Sequence, residues 1–237
     1  MNKLFHNLFC SSLGKKYIMA GTGCAMFGFV IAHLIGNLQV FLGPEAINRY
    51  GHFLQSNLEI VWPARIGLLV LIGLHIWSAM SLTAENRAAR PVPYANWNPT
   101  AASYASRTMM VSGLIVAAFI TFHLLHYTAM VDAVNMTGQS FSSKSFLDTE
   151  GRHDIFKMMV VGFNKPLVSG FYIVGIALLS LHLSHGVSAM FQSLGWKKSS
   201  YGPCLDRFAK AMAIFIFVGY TSIPIAILLG FGKEVLK

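Results

Sequence analysis

Five stretches of this chain contain no Asp, Glu, Lys or Arg: 17–44, 66–84, 108–131, 166–196 and 211–232, which are 28, 19, 24, 31 and 22 residues long. As a helix rising 1.5 Å per residue, each can cross a hydrocarbon core of about 30 Å. A soluble domain places charge at roughly a quarter of its positions, whereas charged residues make up 11% here and apolar ones 54%, with a mean hydropathy of +0.56. The expected fold is therefore an all-α membrane protein, one domain over 1–237, with transmembrane helices at about 17–42, 62–84, 106–131, 166–191 and 209–231. The segments 43–61 and 132–165 carry charges and turn residues throughout and read as surface loops. EAINRYGHFLQSNLEI in the first can form a short interfacial helix, and the second is expected to be a folded cap of unspecified shape.

The net charge of +9 does not point to nucleic acid, because the basic residues are scattered at the edges of the apolar spans, as membrane-surface residues are. The first apolar stretch is too long for a signal h-region and is expected to stay as the first transmembrane helix. With the N-terminus inside, ten Lys and Arg lie on the inner side and eight on the outer, a small excess in the direction of the positive-inside rule. Cys10, Cys24 and Cys204 show no CxxC or CxxCH spacing and are assigned no role.

The histidines carry the chemistry. Six of nine, His33, His75, His123, His126, His182 and His185, lie inside apolar spans, where polar side chains are costly and usually functional. His33 lies seventeen residues beyond Lys16 and His123 sixteen beyond Arg107 on outward-running helices, which is roughly 25 Å from the inner edge. His75 lies ten residues before Glu85 and His182 ten before Gln192 on inward-running helices, roughly 15 Å from that edge. Four histidines thus form two depth-matched pairs about 10 Å apart, the layout of two stacked bis-histidine haems. Haem b needs two neutral imidazoles in an apolar cavity and no thioether link. Small residues one turn beyond three ligands, Gly36, Ala79 and Gly186, are expected to admit the flat ring.

His126 and His185 follow His123 and His182 by three residues on nearly the same face, so either can serve as ligand instead, or contact a propionate or a quinone. Asn37, one turn outward of His33, is a further quinone candidate. His6, His52 and His153 read as solvated. A zinc site is disfavoured, since histidines at two depths cannot make one tetrahedron. HExxH, GxSxG, a phosphate loop and paired core carboxylates are all missing from the sequence, so no catalytic residue and no dicarboxylate site is expected on this chain.

SSLGKKYIMAGTG at 11–23, AHLIGNLQVFLGPEAINRYGHFLQ at 32–55, SGFYIVGIALLSLHLSHG at 169–186 and FQSLGW at 191–196 resemble the five-helix, two-haem cytochrome b subunit of succinate dehydrogenase and quinol:fumarate reductase. The resemblance implies a multi-pass subunit of the inner (cytoplasmic) membrane that anchors a flavoprotein and an iron–sulfur subunit. It implies electron exchange with a quinone pool, commonly menaquinone, in either direction. The family's axial ligands fall on His33, His75, His123 and His182, with the His75/His182 haem proximal to the iron–sulfur subunit and the His33/His123 haem distal. A carboxylate found near the distal quinone pocket of some members has only Glu59 as a candidate counterpart. Two other readings stay open at this point: a two-haem, quinone-reactive cytochrome b of another respiratory oxidoreductase, and a haem-free membrane anchor.

Overall fold

The computed structural model describes residues 3–89 and 107–236, with the side chains of 3–5 left aside. A short helix α1 (Lys3–Cys10) leads into α2 (Ser12–Leu38), which Ser11 caps by accepting the Gly14 N–H at 3.0 Å. A 3₁₀ turn over Gln39–Leu42 prolongs α2 and ends at Gly43, whose φ of +96° turns the chain before Pro44 opens α3 (Pro44–Ser56). Then follow α4 (Leu58–Ala88), α5 (Met109–His123), α6 (Asp132–Asn135), α7 (Ile155–Phe163), α8 (Pro166–Ser193) and α9 (Gly202–Leu228). No strand occurs among the described residues, and Leu147 and His153 form one isolated bridge.

Five helices are long and apolar enough to cross a membrane: Ser12–Leu42, Leu58–Ala88, Met109–Thr128, Pro166–Ser193 and Gly202–Leu228. They coincide with the five expected spans, but four run farther at the end where α2 starts: Pro166–Ser193 slightly, and Ser12–Leu42, Leu58–Ala88 and Gly202–Leu228 by about a turn or more, where charged residues continue the helix instead of ending it. The start of the third span expected at 106 lies outside the described residues, as does Arg90. Large apolar side chains such as Leu69, Val111, Ile214 and Val218 are exposed on the outside, as residues facing lipid are. Helix α8 is central, packing against α9, α2 and α5, while α4 packs on α2.

The segment 43–61 contains the expected short helix, α3, and 132–165 is a folded cap built on it. Phe141, Phe146, Met158 and Val161 form the cap's own apolar cluster. Asn48 of α3 is buried and joins the two: its amide donates to Asp154 Oδ1 at 3.0 Å and its Oδ1 accepts the Phe156 N–H at 3.0 Å. Asp154 in turn caps α7 through the Lys157 N–H at 2.9 Å. Gly51 lets the cap approach, since a Cβ there would meet Ile155 Cδ1 at 2.0 Å. Arg152 closes the outside, paired with Glu45 at 2.6 Å and Asp148 at 2.7 Å. The hydrogen bond from Arg152 holds the Glu45 carboxyl below its usual range. Burial works to raise the Asp148 carboxyl, but the side-chain and backbone hydrogen bonds from Arg152 outweigh it and leave that group lowered too.

At the opposite end, called inner below because α2 starts there, Lys15 is buried and pairs with Glu85, whose other oxygen accepts Ser12 Oγ–H at 2.7 Å. Lys197 pairs with Asp206 at 2.6 Å, and Ser188 donates to the same oxygen at 2.5 Å. Of the basic groups that collect at this end, Lys15 and Lys197 are therefore engaged in ties between helices. Lys16, Arg87, Lys198, Arg207 and Lys210 are exposed.

Candidate cofactor site

The four histidines at matched depths meet in two pairs. His33 of α2 and His123 of α5 have ring centroids 5.8 Å apart, and His75 of α4 and His182 of α8 lie 6.5 Å apart. A metal about 2.0 Å from one nitrogen of each ring, with each centroid about 1.1 Å further back, requires a separation of about 6.2 Å. Both observed distances fit. The interplanar angles of 76° and 62° are also compatible, because both planes can contain the metal–nitrogen axis at any mutual rotation. The side chains present thus suit a bis-imidazole haem at each level, in surroundings of helix and apolar side chains.

Hydroxyl groups hold three of the four rings by the second nitrogen. Thr22 Oγ1 lies 3.1 Å from His75 Nδ1, Ser112 Oγ lies 3.3 Å from His182 Nδ1, and the Tyr172 hydroxyl lies 3.3 Å from His123 Nδ1. Such outer partners fix the tautomer and ring orientation of a metal-binding histidine, leaving Nε2 for the metal. His33 stacks on Phe29 with centroids 5.3 Å apart, beside Tyr220, whose hydroxyl donates to the Val30 carbonyl at 2.8 Å. Thr22, Ser112 and Tyr172 were not among the expected site residues. A signal for the first two is present in the sequence: in both α2 and α5 a hydroxyl residue precedes a glycine and stands eleven residues before a histidine, Thr22–Gly23 before His33 and Ser112–Gly113 before His123.

The same contacts set the spacing of the two levels. Thr22 beside His75 and Ser112 beside His182 each lie eleven residues from the outer ligand on their own helix, about 16 Å. That exceeds the 10 Å expected from the charged ends, because those ends are not level. His75 is ten residues from Glu85, yet its partner Thr22 is only seven from Lys15, so Glu85 lies about one turn below the backbone of the lysine that reaches it.

The remaining candidates differ in surroundings. His126 is fully buried in a π-helical turn over Leu124–Thr128, where Ala129 N–H reaches the Leu124 carbonyl at 2.7 Å; such turns are frequent at functional sites. Its Nδ1 lies 3.0 Å from the Tyr172 hydroxyl, and its Nε2 has no hydrogen-bond partner among the described residues. The neighbouring Tyr127 hydroxyl is buried and unpartnered as well, and Phe141 of the cap stacks on both rings. Asn37 donates to the His33 carbonyl at 2.7 Å, which ties its amide to its own helix. His185 is half-buried on the same helix as Ser188, near the Lys197–Asp206 pair. Gly36, expected to admit a flat ring, faces the Tyr50 ring instead, which a Cβ would meet at 2.9 Å.

No family model matches the chain, and neither does any solved structure. It is similar to a protein of Bacillus subtilis (strain 168) named succinate dehydrogenase cytochrome b558 subunit, 25% identical over 209 residues that make up 86% of this chain and 88% of the relative. Together with the five apolar helices, that similarity supports an integral membrane protein with the role of a membrane cytochrome b anchor.

Proposed function

We propose that this chain is the dihaem cytochrome b subunit of a succinate:quinone oxidoreductase or quinol:fumarate reductase, holding the flavoprotein and iron–sulfur subunits at the inner membrane surface. The observation that carries this reading is the pairing of four histidines from four different spans at 5.8 and 6.5 Å, at two levels of one helix bundle. His33 and His123 would hold the outer haem b, His75 and His182 the inner one. A haem b held by two histidines would supply reversible one-electron transfer there.

The chain's own residues do the rest. The Nδ1 contacts of His75, His123 and His182 keep the imidazoles neutral and oriented, and apolar side chains exclude water around them. With the N-terminus inside, the exposed Lys16, Arg87 and Lys198 face the side on which the iron–sulfur subunit docks. A quinone, menaquinone in our reading, would bind toward the outer end. There His126 Nε2 and the Tyr127 hydroxyl are two buried polar groups in need of partners, and a quinone carbonyl accepts from such donors. Asn37 has one amide N–H engaged by the His33 carbonyl, which leaves its second N–H and its carbonyl oxygen for the ligand, and His185 would lie at the opposite end, near the inner haem.

Histidine replacement tests the pairing. His75→Ala and His182→Ala should each remove the same haem, and His33→Ala and His123→Ala the other. Retention of both low-spin haem signals in any of the four variants overturns the ligand assignment. His126→Ala should lower quinone-dependent turnover with haem content kept.

A further inference from the structure

The inner and outer imidazole pairs are held in different ways, and the difference lies in where the hydroxyl protons go. Thr22 Oγ1 donates to the Ile18 carbonyl at 2.8 Å, with the Met19 carbonyl at 3.1 Å. Ser112 Oγ donates to the Met109 carbonyl at 3.1 Å. A hydroxyl has a single proton. Once that proton is committed to the hydroxyl's own helix, the oxygen can only accept from the ring across from it. Both side chains are buried, with relative exposures of 5% each, so water does not compete for the ring.

We propose that Thr22 and Ser112 are a matched pair of positioning residues, one for each ligand of the inner haem. Each accepts the Nδ1–H of its histidine, His75 or His182, and so fixes the tautomer that presents the Nε2 lone pair to the iron. Helices α2 and α5 thereby serve both levels, carrying a ligand for the outer haem and, eleven residues earlier, the acceptor that sets a ligand of the inner one. The outer pair lacks this arrangement. His123 Nδ1 faces a phenol that also contacts His126 Nδ1, and among the described residues no hydroxyl reaches the His33 ring. An acceptor on Nδ1–H raises the basicity of the opposite nitrogen and favours the ferric form, so the pair lowers the inner haem's potential.

This assignment rests on the haem reading above, and one redox titration separates the two. The purified complex would be titrated with mediators while both haem spectra and the low-spin ferric resonances are followed. Thr22→Val keeps the shape of the side chain and removes the acceptor; Thr22→Ser keeps the acceptor. Ser112→Ala and Ser112→Thr form the same contrast on the other helix. Outer partners of this kind are worth about tenfold in metal affinity. Falling on the ferric form, that factor raises a one-electron midpoint by about 59 mV.

We expect Thr22→Val and Ser112→Ala each to raise the midpoint of one and the same haem, the one that His75→Ala removes, with the hydroxyl-keeping variants near wild type. Selective loss of that haem in the Val or Ala variant, with the other retained, supports the assignment equally. Unmoved midpoints and resonances in both variants overturn it, as does a shift confined to the other haem. Wild-type protein without haem would overturn the underlying reading instead.

Discussion

Replacing Tyr172 with Phe removes one oxygen and leaves the packing of the outer site intact. The ring stays against Phe163 and Phe119, with centroids 5.0 and 5.4 Å away, so no apolar burial is lost. The lost oxygen touches His126 Nδ1 at 3.0 Å and His123 Nδ1 at 3.3 Å. His126 is fully buried and its Nε2 already has no partner among the described residues, so the variant leaves both nitrogens of that ring unsatisfied. An orphaned buried polar group costs about 1–3 kcal/mol, while the longer contact to His123, at the edge of hydrogen-bond geometry, adds about 0.5 kcal/mol. The sum of about 2 kcal/mol corresponds to a melting temperature lower by roughly 4–8 °C for a chain of this length. Thermal denaturation of the detergent-solubilised protein measures it, and the haem spectra of the same sample should change at the His33/His123 level alone. A melting temperature equal to wild type's would mean that the Tyr172 hydroxyl satisfies neither imidazole.

Three further outcomes are expected. Asn48→Ala takes away both amide bonds between α3 and the cap and orphans the buried Phe156 N–H, for a loss of about 2–4 kcal/mol; hydrogen exchange in 141–163 should rise strongly while the inner halves of the spans stay protected. Glu45 and Asp148 titrate below their ordinary values in the folded protein, so the stability they lend the cap is complete above about pH 5 and declines as pH falls below it; proteolysis within 144–153 should accelerate on acidification and not on raising the pH to 8. Cross-linkers placed at Lys16, Arg87 and Lys198 should capture the iron–sulfur subunit, and capture confined to 43–61 and 132–165 would put the docking face at the opposite end.

How much of this was legible in the sequence depends on how local the information is. Histidine depth is a count along one straight helix, so spacing from Lys16, Arg107, Glu85 and Gln192 was enough to anticipate which rings would be neighbours. The distance between levels was harder, because it needs the registry of one helix against another, which the Lys15–Glu85 and Thr22–His75 contacts reveal. The role of Gly36 went the same way. Its small size is readable, but only the return of α3 shows that Tyr50 occupies the space. The cap resisted most, since its defining contacts join Asn48 to Asp154 and Glu45 to Arg152 across more than a hundred residues. No periodicity encodes a contact of that range.

Haem stoichiometry decides whether one chain carries two bis-histidine b haems. A pyridine haemochrome assay on the purified protein, referred to chain concentration by amino-acid analysis, should give two haem b per chain, in keeping with rings paired at 5.8 and 6.5 Å. A value of one would leave one of those pairs without its role, and a value of zero would contradict the account altogether.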